Sequence, residues 1–303
     1  MQRTVLFLIA FITFSFGFSQ TINHEVLDDK GKAKLLGKIN KDGLKKPAFA
    51  EWFNKNYDDY DVNDKVVKKL KDSLNLYTIK VFLGTWCGDS RKEIPRFYSI
   101  IDQTNFPEDQ LEVFALDNGT ENYKQGPNGE EKNMNVHRVP TFIFYKNGKE
   151  VNRIVEHPKE TLERDILTIV NGERYSPNYM AANYMQYLLT EKGVDSLKQD
   201  ETNLVPRLAE FVKGSRELNT LGYVYLRAEQ FDKALYLFDI NTKIFPYKYN
   251  VYDSLAEAFY ETGDYTEALK NYYKVLSLKP DDKNAPEMID KIQLKTEAMN
   301  KED

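Results

Sequence analysis

The second half of the chain carries a sequence pattern that repeats every 34 residues. Four pairs of matched residues have this separation: Leu221 and Leu255, Phe231 and Tyr265, Ala234 and Ala268, and Pro246 and Pro280. The alanines let paired helices approach closely, the aromatic rings fill the space between helices, and the prolines end each second helix. Because one such unit cannot bury its apolar face alone, the pattern predicts a stack of helices. We expect residues 178–213 to supply a degenerate third pair and residues 283–300 a capping helix.

This pattern resembles the tetratricopeptide repeat, and it departs from that repeat at Asn241, where a small residue is usual. The resemblance implies a groove for protein partners, lined by the first helix of each pair. The groove residues predicted on this basis are Tyr223, Arg227, Asp253, Glu257 and Tyr260. Their mixture suits a polar peptide with one or two apolar contacts. The alternative is that this face packs on the first half of the chain.

The first half alternates between strand and helix patterns. We predict strands at 76–84, 111–116, 140–146 and 149–155, and helices at 89–104 and 160–170. Asn147-Gly148 between the last two strands is a two-residue hairpin signal, and Ser176-Pro177 marks a boundary. The predicted fold class is therefore an α/β domain over residues 76–172 followed by an all-α helical-repeat domain over residues 177–303. Residues 20–75 are predicted to be a lead-in segment that packs on the first domain.

A single cysteine, Cys87, stands where the strand at 76–84 passes into the helix at 89–104. A helix N-terminus offers unpaired N–H groups and the positive end of the helix dipole, and both stabilise a thiolate. With one cysteine the chain cannot form an internal disulfide. The three histidines are scattered without ligand spacing, so we predict no metal site and no cofactor. Of these, His137 is expected at the surface, near the predicted turn before the strand at 140–146.

Residues 76–171 resemble the thioredoxin family. The resemblance rests on Trp86-Cys87-Gly88 after an apolar strand, on Pro95 within the following helix, and on Arg138-Val139-Pro140-Thr141 before a later strand. It implies a cis-proline loop that faces a nucleophilic thiol. It also implies that Val139 and Pro140 hold an extended client peptide beside Cys87, with Trp86, Gly88 and Asp89 around the thiol.

Two positions depart from the family pattern. Ser90 stands where the resolving cysteine is expected, so a mixed disulfide at Cys87 needs an outside thiol for its release. Val81 stands where the family commonly has a buried aspartate. We assign Cys87 as the catalytic nucleophile and Ser90 as a hydroxyl that stabilises its thiolate, with protein or peptide clients and an external thiol reductant as partners. The alternative is a non-enzymatic protein-binding scaffold in which Cys87 is inert.

The N-terminal segment has the pattern of a secretory signal peptide. Arg3 precedes an apolar run from Val5 to Phe18, which is short for a membrane span, and small residues follow it. We predict cleavage after Ser19, a periplasmic location and no membrane span in the mature chain; an uncleaved anchor is the alternative. The formal net charge of −5 offers no basic field for nucleic acid.

Overall fold

The computed structural model describes residues 22–302. The predicted signal peptide, residues 1–19, lies outside the described residues. Within 22–302, no helix combines the length and the apolar character needed to cross a bilayer.

The first half of the structure is a six-stranded sheet flanked by helices. The strand order is β1-β2-β4-β3-β5-β6; β3 and β4 are parallel, and the other neighbours are antiparallel. The strands are β1 (His24–Leu27), β2 (Ala33–Ile39), β3 (Thr78–Leu83), β4 (Leu111–Ala115), β5 (Thr141–Lys146) and β6 (Lys149–Val155). The helices are α1 (Lys41–Leu44), α2 (Pro47–Asp58), α3 (Asp64–Leu74), α4 (Gly88–Thr104) and α5 (Leu162–Val170).

The hairpin between β5 and β6 forms at Asn147-Gly148. Both residues have positive φ, 51° at Asn147 and 74° at Gly148, as a tight two-residue turn requires. The pattern in the sequence therefore predicted this turn correctly.

The segment before β3 joins the sheet. β2 pairs with β4 in the register Gly37–Ala115, and β1 continues the sheet outward from β2. Side chains of this segment, such as Leu35 and Phe53, are fully buried in the same hydrophobic core as Val81 and Phe142. The sequence analysis did not predict β2, which lies between β1 and β4.

The second half of the described chain is helical. Its helices are α6 (Met180–Glu191), α7 (Gly193–Gln199), α8 (Glu201–Ala209), α9 (Ser215–Arg227), α10 (Phe231–Ile244), α11 (Tyr249–Glu261), α12 (Tyr265–Leu278) and α13 (Asn284–Glu302). The pair α9–α10 and the pair α11–α12 begin and end at positions 34 residues apart. An α/β domain followed by a region of many helices is the predicted fold class, and it is confirmed.

Candidate functional site

Cys87 is the N-cap residue of α4. Its backbone is extended, with φ −85° and ψ 130°, and its carbonyl accepts the first helical hydrogen bond from the N–H of Arg91 at 3.0 Å. The side chain is half-buried, whereas Gly88 and Asp89 in the first turn of α4 are exposed. The thiol therefore lies at the positive end of a 17-residue helix and remains accessible.

The loop before β5 faces this thiol. The Val139–Pro140 peptide bond is cis, and the Sγ of Cys87 donates to the carbonyl oxygen of Val139 at 3.3 Å. The structure thus brings together three of the predicted site residues, Cys87, Val139 and Pro140, from segments more than 50 positions apart.

Trp86 is held against the strand ends. Its Nε1 donates to the carbonyl oxygen of Leu116 at 2.8 Å, directly after β4. Its ring lies on Gly84, where an added Cβ would stand 2.5 Å from the ring atom Cε2. The absence of a side chain at Gly84 therefore leaves the space that the Trp86 ring occupies.

Ser90 is fully buried, and its hydroxyl oxygen accepts from the N–H of Gly84 at 3.1 Å. This contact ties the first turn of α4 to the end of β3. Among the described residues, no hydrogen bond joins Ser90 to Cys87. The stabilisation of a thiolate by this hydroxyl stays a prediction.

Residues 61–168 match the thioredoxin family model. The α/β domain is thioredoxin-like. Three plant proteins align with parts of this chain. Thioredoxin H2 of Arabidopsis thaliana is 30% identical over 98 residues, which are 32% of this chain and 65% of that protein. Thioredoxin H-type of Picea mariana is 32% identical over 88 residues, 29% of this chain and 62% of that protein. Thioredoxin H2-2 of Oryza sativa subsp. japonica is 28% identical over 102 residues, 34% of this chain and 69% of that protein. The chain thus spans less than two thirds of the length of the first two relatives.

The prediction that His137 lies at the surface was wrong. His137 is 1% exposed, and neither ring nitrogen has a hydrogen-bond partner within the described residues. Burial, followed by the positive charges of Lys124, Arg138 and Arg153, holds the pKa of His137 well below its usual value. The imidazole is therefore neutral at physiological pH.

Sequence reasoning also missed a group of polar residues beside the cis-proline loop. Arg138 pairs with Glu156 at 3.3 Å, and its guanidinium lies 4.4 Å from the centre of the Tyr179 ring. The hydroxyl of Tyr179 donates to Glu156. Lys124, on the loop between β4 and β5, is only 3% exposed. The only signal for these residues in the sequence was that Arg138 precedes Val139-Pro140.

Three of the five predicted groove residues, Tyr223, Arg227 and Glu257, form a bonded network. Tyr223 donates to Glu257 at 2.6 Å, and Arg227 forms ion pairs with Glu257 and Glu261. The other two predicted residues contact the last helix: Asp253 accepts from Asn284 at 2.9 Å, and Lys291 and Lys295 lie over the ring of Tyr260. The carbonyl of Arg227 also accepts from Gln125 of the α/β domain at 2.6 Å. The network therefore lies at the edge of the contact between the two domains.

Proposed function

We propose that this protein is an exported thiol–disulfide exchange protein with Cys87 as its single nucleophile. The proposal rests on the position of Cys87 at the start of α4 within a thioredoxin-like domain. There its Sγ lies 3.3 Å from the carbonyl oxygen of Val139, in the cis-proline loop. A half-buried thiol at a helix N-terminus is suited to nucleophilic attack.

The reaction requires an external thiol. The thiolate of Cys87 attacks one sulfur of a client disulfide; a new S–S bond forms, and the second client sulfur leaves as a thiolate that takes up a proton. Because Ser90 carries no sulfur, an outside thiol attacks Cys87 and releases the client, and a second outside thiol then frees Cys87. The client gains two electrons, and the two outside thiols end as a disulfide.

The client is a peptide or protein segment in extended form. Gly88 and Asp89 are exposed beside the thiol, Trp86 precedes it, and the Val139–Pro140 loop faces it. Extended peptides bind through main-chain hydrogen bonds, which the backbone of Val139 would supply.

The helical region over residues 177–303 would act as a tetratricopeptide-like module that binds a protein partner. The 34-residue spacing of the two helix pairs supports this assignment. The groove set of Tyr223, Arg227, Asp253, Glu257 and Tyr260 combines charged groups with aromatic rings, which suits a polar peptide with one or two apolar contacts.

We place the mature protein in a bacterial periplasm, after removal of residues 1–19. The basic start and the short apolar run of this segment support export.

The second candidate is a protein-binding scaffold without exchange activity. The contact of Ser90 with Gly84 favours it, because the position expected to resolve a mixed disulfide is built into the turn instead. The two candidates differ in whether Cys87 takes part in thiol–disulfide exchange.

The test is the mass of the purified protein after incubation with a disulfide-containing peptide. We expect a peptide adduct on Cys87 that is released only when reduced glutathione is added, and no adduct on Cys87→Ser. Ser90→Cys is the matched gain-of-function variant, and it should release the peptide without added thiol. Formation of the adduct no faster than on a free cysteine would favour the scaffold.

A further inference from the structure

A cleft of about 690 Å³ opens where the cis-proline loop meets the helical region. Arg138 and Glu156 form its wall on the α/β domain, and Tyr179 with residues 213–217 and 248–250 forms the opposite wall. We call it the cationic cleft, because four of the side chains that line it are positively charged: Arg138, Lys213, Arg216 and Lys248. Both domains therefore contribute charge to one cavity.

The two carboxylates that line the cationic cleft are already bonded within the protein. Glu156 pairs with Arg138 and accepts from the hydroxyl of Tyr179. Glu217 is 4% exposed, and its carboxylate accepts from the N–H groups of Ala181 and Ala182 at the start of α6. Neither carboxylate therefore neutralises the other cations of the cleft.

Three cations of the cleft lack an anionic partner. Lys213, Arg216 and Lys248 are exposed, and none of them forms an ion pair with another residue of 22–302. The positive charge of Lys213 also reaches beyond the cleft: burial, and then this charge, lower the pKa of Lys159, against the attraction of Asp165. The cleft therefore has an excess of positive charge, which attracts anions from solution.

Two helices begin at the cleft, and neither has a side-chain cap. α9 begins at Ser215 after Gly214, and α11 begins at Tyr249 after Lys248. The side-chain amide of Asn250 donates to the hydroxyl of Ser215 at 3.4 Å, so the two helix starts lie together. Because the N-terminus of a helix carries partial positive charge, both starts add to the field of the cationic side chains.

The cationic cleft is continuous with the cis-proline loop that faces the thiol. Arg138 directly precedes Val139, whose carbonyl oxygen lies 3.3 Å from the Sγ of Cys87. On the other side of the loop, the N–H of Glu156 donates to the carbonyl of Pro140 at 2.7 Å. An extended chain advances about 3.3 Å per residue, so a client segment bound along Val139 would reach the cleft within about four residues of its reacting cysteine.

We propose that the cationic cleft binds acidic residues of the client polypeptide, close to the disulfide that Cys87 attacks. This inference rests on the proposed exchange function and names its substrate class: client segments with aspartate or glutamate near the reacting cysteine. Carboxylates of the client would pair with the guanidinium of Arg216 and with the ammonium groups of Lys213 and Lys248. Complementary charge acts mainly on the rate of association, so the preference belongs in the rate of mixed-disulfide formation.

The test compares two peptide disulfides that differ only in charge. Each is a symmetrical dimer of a peptide with one cysteine, flanked on both sides by two glutamates in one peptide and by two glutamines in the other. The rate of adduct formation on Cys87 is followed by mass and divided by the rate of the same peptide with free cysteine. We expect the wild type to prefer the acidic peptide about fivefold at an ionic strength of about 0.01 M, because several exposed charge pairs each contribute a little.

Salt should remove this preference. At about 1 M salt the Debye length is about 3 Å, and the ratio of the two rates should fall below about twofold. A ratio that stays the same in high salt would show that the glutamates act by shape and not by charge, which contradicts the inference.

The double variant Arg216→Gln with Lys248→Gln removes two of the exposed charges and should reduce the preference to less than about twofold at low salt. Lys192→Gln is the matched control and should keep the full preference. Lys192 is exposed at the opposite end of α6, about 18 Å along the helix from Tyr179. Circular dichroism of each variant establishes that it folds.

The outcomes separate this inference from the proposed function. A wild type that forms no adduct with either peptide overturns the exchange function. The cleft is then tested by fluorescence anisotropy with a labelled acidic peptide that lacks cysteine, and equal binding by the wild type and the double variant overturns its role.

Two other results would overturn the role of the cleft while exchange stands. One is a double variant that keeps the wild-type preference for the acidic peptide. The other is a double variant in which only the release of the peptide by glutathione is slower, because the cleft would then bind the outside thiol and not the client.

Discussion

At the scale of single residues, the thiol site depends on close packing around Gly84, directly after β3. The ring of Trp86 covers Gly84, and the indole N–H is bonded to Leu116. The hydroxyl of Ser90 is bonded to the N–H of the same glycine. Gly84 therefore contacts both Trp86, directly before Cys87, and Ser90, in the first turn of α4.

We expect Gly84→Ala to destabilise the fold by about 1–3 kcal/mol, because the added methyl overlaps the Trp86 ring and forces it to move. The rate of alkylation of Cys87 should also change, because the Trp86 ring moves away from its position beside the thiol. Gly88→Ala is the control for stability, since an added Cβ there meets nothing within 4 Å. Urea unfolding of both variants checks this; equal stability of the two would contradict the packing argument.

An ion pair at the end of β4 should make stability depend on acid. Burial by itself raises the pKa of Asp117, but the Lys34 ammonium and the N–H groups of Gly119 and Asn118 outweigh it and hold the pKa below its usual 3.8. A carboxyl whose pKa is lowered by folding stabilises the folded state at pH values above its pKa in the unfolded chain. This stabilisation is lost as the pH falls through its lower pKa in the folded state.

Asp117→Asn should therefore be less stable than the wild type at pH 6, and the difference should shrink as the pH falls below about 4. Urea unfolding of both proteins at a series of pH values measures this difference in unfolding free energy. Asp29→Asn, at an exposed position in the turn after β1, is the control. A constant difference down to pH 2 would show that Asp117 acts by shape and not by charge.

At the scale of elements, the start of α6 relies on a residue from another helix. Its N-cap residue, Tyr179, makes no side-chain capping bond. The carboxylate of Glu217 in α9 instead accepts from the N–H groups of Ala181 at 2.7 Å and Ala182 at 3.3 Å, and it also accepts from Lys213. A buried anion at a helix N-terminus thus fastens α6 to α9.

Glu217→Ala should cost roughly 2–4 kcal/mol of unfolding free energy, because it leaves buried N–H groups without acceptors. Glu229→Ala, on an exposed glutamate after α9, should change stability by less than about 0.5 kcal/mol. Urea unfolding followed by circular dichroism compares the two, and similar values for both would refute the capping role.

At the scale of the whole molecule, the two domains meet beside the cis-proline loop. Arg138 donates to the carbonyl of Arg216 at 3.3 Å, and Tyr179 bonds Glu156. A polar cleft of about 810 Å³ separates the loop after β4 from α6, α9 and α10. The helical region therefore contacts the cis-proline loop, which faces Cys87.

Tyr179→Ala should loosen this contact and speed proteolysis of the connecting segment 171–178 by about tenfold, which corresponds to about 1.4 kcal/mol of local opening. Tyr187→Ala, at a residue of α6 that is 60% exposed, is the control. Time courses with a protease that cuts after arginine would report cleavage at Arg174. Equal rates in the two variants would mean that Tyr179 does not hold the domains together.

The sequence by itself determined what depends on local pattern. Strand and helix patterns predicted β3 and α4, and the turn residues Asn147-Gly148 predicted the β5–β6 hairpin. The 34-residue period predicted the helix pairs, because a helix that buries one face keeps a periodic pattern of apolar residues. The Cys87 motif and the Val139-Pro140 segment were also visible, since both rest on neighbouring residues.

Only the tertiary structure decided which distant residues surround the thiol. β2 enters the sheet through pairing with β4, and Lys124 and His137 are buried because the loop after β4 folds back. A lysine in a polar loop has the same local sequence whether it is solvated or buried, so no periodicity marks it. Burial and charge around Cys87 are set by contacts between segments far apart in the chain, and these exist only once the chain has folded.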